Sequence, residues 1–123
     1  MFSKTPTVVP SRSISETIVM SEWLRQLILT VGDVVEQQSR YKDDLAYWVD
    51  GREIAHLEAD DVLDLRLTRS AIREKRAELK ADPQIELRGS SDWLTVRVEG
   101  PQDASFVTAL IRQAVKANRK GHT

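Results

Sequence analysis

The chain has 123 residues, 41% hydrophobic and 30% charged, with a formal net charge of −1. That suffices for one domain with a real core and lacks the basic excess of phosphate-binding proteins, so nucleic acid is not expected as a partner. There are no cysteines, which excludes disulfide scaffolds, thiolate zinc sites and cysteine nucleophiles and suits a cytoplasmic location.

Residues 1–15 carry Pro6 and Pro10 among Ser and Thr and read as an extended N-terminal arm. No apolar run there resembles a signal peptide, and Leu27 to Val31 is far too short to cross a bilayer, so no membrane partner is expected. A single domain is expected over 16–118, followed by a tail over 119–123. Ile18, Trp23, Leu24, Leu27, Ile28 and Val31 recur at helical spacing, with Ser15 or Ser21 as the N-cap. Gly32-Asp33 reads as the helix stop. Val34 to Arg40 reads as a short polar strand at a sheet edge.

Asp50-Gly51 is a hairpin signal, because a two-residue turn of this type needs positive φ at both positions. It pairs Val49 with Arg52, Tyr47 with Ile54 and Leu45 with His56. Asp60-Asp61 is a second, glycine-free turn. As a two-residue loop it sets His56 opposite Leu65 and makes one apolar face from Leu45, Tyr47, Val49, Ile54, Leu63, Leu65 and Leu67. A three-residue loop exchanges the faces, since strand side chains alternate with period two. We prefer the two-residue register, which places His56 on the helix-covered face.

Thr68 or Ser70 caps a charged helix over about 71–80, whose clearly apolar residues are Ile72 and Leu79. Asp82-Pro83 ends it. Ile85 and Leu87 alternate in a strand, Gly89 to Asp92 turn, and Trp93 to Glu99 form the cleanest strand. Gly100-Pro101 opens a last helix with Phe106, Val107, Leu110, Ile111, Ala114 and Val115 on one stripe. The expected fold is α+β: a two-layer sandwich with an antiparallel sheet of about four to five strands, two main amphipathic helices on one face and a short charged third helix.

The other sheet face is then predicted to carry Ala46, Trp48, Glu53, Ala55, Leu57, Val62, Asp64, Arg66, Glu86, Arg88, Trp93, Thr95, Arg97 and Glu99. Indoles supply flat apolar area and guanidiniums fork onto carboxylates, so Trp48, Arg66, Trp93 and Arg97 form a candidate site for a small aromatic or acidic molecule. The plainer alternatives for the same face are a homodimer interface, a surface for a protein partner or coverage by the N-terminal arm. In the exchanged register His56 joins Asp64 and Arg66 there as an acid/base group. His122 is the other histidine, no metal motif is spaced for binding, and no glycine-rich phosphate loop occurs, so neither metal nor cofactor is expected.

The segment GREIAHLEADDVLDLRLTRSAIR, then SSDWLTVRVEGPQD and a helix ending in AVKAN, resembles the luciferase-like domain, a family related to the fungal bioluminescence luciferases. The resemblance covers Trp23 to Asn118, most tellingly Ile54-Ala55-His56, Leu63 to Thr68 and Ser91-Asp92-Trp93. It implies an α+β fold. For the fungal members it implies oxidation of a hydroxypyrone by oxygen without metal or flavin; it assigns no catalytic residues to this chain.

Overall fold

A computed structural model describes residues 12–119, with side chains of the first helix described from Met20 onward. Residues 1–11 of the expected arm and 120–123 of the expected tail, His122 among them, lie outside the described residues; residues 12–15, expected in the arm, belong instead to the first helix.

Helix α1 (Arg12–Thr30) begins earlier than either Ser15 or Ser21 would have started it. It stops at the expected place, although Asp33, at φ 75°, and not Gly32 takes the left-handed conformation. Strands β1 (Val35–Gln38), β2 (Leu45–Val49), β3 (Arg52–Ala59) and β4 (Val62–Arg66) follow. The charged helical segment is two helices, α2 (Arg69–Glu74) and α3 (Arg76–Ala81), separated at Lys75. Thr68 caps α2 by accepting from the Ala71 amide, satisfying one of the orphan donors of a helix start. Strands β5 (Ile85–Leu87) and β6 (Trp93–Arg97) precede a 3₁₀ turn at Pro101–Asp103 and helix α4 (Ala104–Asn118).

The sheet is antiparallel with six strands in the order β1-β2-β3-β4-β6-β5. The count exceeds the expected four to five because the polar segment after α1 and the three residues of β5 both pair, one at each edge. Leu24 and Ile28 of α1, Val107 and Ile111 of α4, and Leu63, Leu65, Leu94 and Val96 of the sheet share one buried core. Ile72 and Leu79 anchor the two short helices to it. Each such side chain contributes about 1.5–3 kcal/mol on burial.

Strand β3 departs from the expected register twice. From the Asp50-Gly51 turn, Val49 faces Arg52 and Trp48 faces Glu53, but Tyr47 then faces Ala55, so Ile54 is an extra residue. At the other end Leu57 faces Leu63 and Ala59 faces Val62, so Glu58 is extra as well. These are β-bulges, which leave one residue unpaired and bend the strand. The first lets both Ile54 and Ala55 enter the core. It also shifts the alternation relative to β2 and takes His56 off the helix-covered face, while the bulge at Glu58 sets His56 opposite Asp64 instead of Leu65. The Asp60-Asp61 loop does have two residues; the bulge at Glu58 exchanges the faces. Ala55 and Leu57, predicted for the outer face, belong to the core or pack against it.

Candidate functional site

The outer face is closed at its centre by the β1–β2 connection. Ser39 donates its hydroxyl to Glu53 Oε2 at 2.7 Å, and the Arg40 amide donates to Glu53 Oε1 at 2.6 Å. Lys42 Nζ donates to the Leu57 carbonyl at 2.7 Å and stands 3.7 Å from Glu58. Residues 39–44 thus form a strap across β2 and β3, fastened by one buried carboxylate and one lysine.

His56 lies beneath this strap, 6% exposed. Its Nδ1 is 2.8 Å from Glu53 Oε2, while its Nε2 is 3.2 Å from Asp64 Oδ2 and 2.9 Å from Glu58 Oε2. Residues three apart on a flat strand point to opposite faces; Glu53 and His56 meet because Ile54 is bulged between them. Asp64 is itself held by Thr95, which donates at 2.9 Å, and by Arg88 at 2.5 Å. Arg88 also donates to Thr95 at 2.7 Å. An aromatic wall completes the site. Trp93 lies 5.1 Å from the His56 ring, and Tyr41 of the strap meets Trp93 edge-on at 5.7 Å.

Burial alone would push the His56 pKa down, but hydrogen bonds to Asp64 and Glu53 outweigh it and the net shift is upward. Asp64 shows the complementary pattern: burial favours its neutral form, yet His56, Arg88 and Thr95 hold it well below the usual carboxylate range. A proton shared along Glu53, His56 and Asp64 is the chemical content of this geometry. The carboxylates fix the ring and stabilise its charged form.

One ligand atom each from His56, Glu58 and Asp64 lies within 4.8 Å of the others. Sequence spacing did not reveal this constellation, which can hold a divalent cation, with Glu53 behind the imidazole as its outer partner. The side chains already supply compensating charge, however. Arg88 neutralises Asp64, Lys42 faces Glu58, and a proton on His56 offsets Glu53. The donor set is balanced by a proton and would be overcompensated by a dication.

The other sequence-predicted residues separate into two groups. Trp93 belongs to the wall, and Arg66, its cross-strand partner, is 3.5 Å from Asp92 rather than bonded to Asp64. Trp48 lies under the Arg40 guanidinium, 5.9 Å from its ring centre. Arg97 is apart: it reaches the Pro83 carbonyl and lines an open groove of about 420 Å³ with Val62, Glu86 and Thr95. Sequence reasoning missed Ser39, which it placed inside the edge strand Val34 to Arg40 although that strand ends at Gln38, and Tyr41, which follows it without a motif. It also missed the pairing of Glu53 with His56, which depends on a bulge that no glycine or proline marks.

The family model described as Luciferase domain matches residues 51–114. That is more than half of the chain and includes His56, Asp64, Arg88 and Trp93; the strap lies outside it. No curated protein and no solved structure matches. Among the described residues, no helix is long and apolar enough to cross a membrane.

Proposed function

Starting from a chain that belongs to the Luciferase domain family, we propose that its outer sheet face binds a small hydroxylated aromatic molecule, which His56 deprotonates for reaction with oxygen. The observation that carries this reading is the His56 imidazole, held between Glu53 and Asp64 and in ring contact with Trp93. Trp93 offers a planar surface for the substrate ring, and the carboxylates raise the basicity of the imidazole.

The neutral imidazole takes a proton from an acidic ring C–H or its enol tautomer, leaving the electron pair on the ring. That carbanion forms a carbon–oxygen bond to molecular oxygen, which is reduced to the peroxide level. The imidazolium returns its proton to the peroxide, so substrate and oxygen give a hydroperoxide with no outside reductant. The test is oxygen uptake over a panel of hydroxypyrones and hydroxylated aromatics, with His56→Gln as the comparison. Uptake should fall by about 10²–10⁴-fold in the variant, the usual contribution of a general base. Equal uptake by both proteins, or none from any compound, refutes the proposal.

A second reading, self-association through the free edge of β1, is favoured by Val35 and Leu45, which are 51% and 47% exposed on the β1–β2 hairpin. Sedimentation of the chain and of Val35→Lys separates the two, since a charge on an edge strand blocks pairing. A monomer at high concentration discards this reading.

A further inference from the structure

Tyr41 is 57% exposed although its ring is set edge-on against Trp93 and lies 6.3 Å from the His56 ring. Its amide donates to Ser39 Oγ at 3.0 Å, and its phenol hydroxyl has no hydrogen-bond partner among the described residues. The strap is fastened on both sides of it, at Ser39 and Arg40 to Glu53 and at Lys42 to the Leu57 carbonyl. The ring itself is held by its contacts with other rings and by nothing polar.

Two N–H donors on the same sheet face have no acceptor among the described residues. Trp48 Nε1 and Arg66 Nε are both buried and unpartnered. Both side chains belong to that face, on either side of β3: Trp48 of β2 pairs with Glu53, which bonds His56, while Arg66 of β4 follows Asp64 by two residues and pairs with Trp93. A buried donor left without an acceptor is costly, and native structures keep few of them without a reason. Both lack the same thing, an oxygen acceptor. Arg66 is charged, so an anionic oxygen answers it best.

We infer that Tyr41 fills, in the free protein, the ring seat of a ligand site on this face, and that the ligand is a planar aromatic carrying an oxyanion received by Arg66 and Trp48. The ligand ring displaces the Tyr41 phenol from the edge of Trp93. The strap stays tied through Glu53 and Lys42, so displacement needs only a rotation of the tyrosine side chain. This inference rests on the proposed function for the ring seat beside His56, and adds to it the charge of the ligand and the group that competes with it.

Calorimetric titration with 4-hydroxybenzoate and its neutral methyl ester tests this without oxygen or turnover. Tyr41→Ala should bind the acid about three- to tenfold more tightly than the unmodified chain, the equivalent of one edge-to-face contact no longer in competition. Tyr41→Ser, which leaves the same seat empty, should match it. In the Tyr41→Ala background Arg66→Gln should erase the preference for acid over ester, while His56→Gln should keep it. Unchanged or weaker binding by both Tyr41 variants shows that the tyrosine is a wall and overturns the inference. Equal affinity for acid and ester with Arg66 present overturns its oxyanion half. Tight binding without oxygen uptake refutes the proposed reaction and leaves this inference standing.

Discussion

Replacing Glu53 with Ala should be among the most destabilising polar substitutions in this chain. The carboxylate is 3% exposed and accepts from the Ser39 hydroxyl, the Arg40 amide and His56 Nδ1 at 2.7, 2.6 and 2.8 Å. Hydrogen bonds to a charged group contribute about 1.5–3 kcal/mol each, but the three donors do not add. Ser39 can rotate its hydroxyl, and His56 keeps Asp64 and Glu58. The nearer comparison is removal of one partner from a buried ion pair, about 3–5 kcal/mol. For a chain of this length that lowers the melting temperature by about 10–20 °C. Urea denaturation gives the free energy directly. Glu53→Gln keeps the shape and one acceptor, and should cost about 1–2 kcal/mol. Both variants should lower the His56 pKa in an NMR titration, since the carboxylate that favours the imidazolium is gone. The Ala variant should also speed amide exchange at Arg40. A cost below about 0.5 kcal/mol, the range of an ordinary surface change, would mean that the strap is fastened elsewhere.

Stability should depend on pH through two groups. The His56 pKa is raised from 6.5, so its contribution is fully present below 6.5 and is lost as pH rises through the folded value. The Asp64 pKa is depressed from 3.8, so its contribution is present above 3.8 and is lost as pH falls through the folded value. Urea midpoints from pH 5 to 9 should decline on the alkaline side for the native chain and flatten in His56→Gln; parallel curves would exclude His56 as the source. Leu65→Ala should cost about 2–5 kcal/mol, since Leu65 is fully buried in the core. Arg97→Ala should stay within about 0.5 kcal/mol, because its side chain is exposed and reaches only the Pro83 carbonyl, at 3.4 Å. A large loss at Arg97 in the same denaturation series would show a role that its contacts do not explain.

The elements were legible where physical signals are local. The stripe of α4, the turn at Asp50-Gly51 and the alternation of Leu94, Val96 and Val98 are each set by a few neighbouring residues, and each appears where expected. The face of His56 was not legible, because both bulges sit in the run Arg52–Ala59 without glycine, proline or any break in polarity. Tertiary terms decided it. Ile54 and Ala55 both gain burial when the strand bends, and a histidine surrounded by carboxylates is stable only away from the apolar helices. The outer surface was legible as a set of residue types, with Trp93, Asp64 and Arg88 placed there correctly. Its organisation was not, since the strap arrives from a loop whose sequence carries no motif.

The two bulges of β3 also bear on how the chain reaches this structure. A flat hairpin using the same two turns, with His56 packed toward the helices, remains open to the nascent strand until the helices dock. Local signals do not distinguish the two pairings, so this hairpin is a point of frustration in an otherwise consistent landscape. Protonation discriminates between them: a charged imidazole is costly against apolar helices and welcome among Glu53, Glu58 and Asp64. Refolding should therefore be most direct in mildly acidic solution, with a slow phase of register correction gaining amplitude in stopped-flow traces as the solution becomes alkaline. The same histidine would thus act as a proofreader of strand alignment before it acts on any ligand.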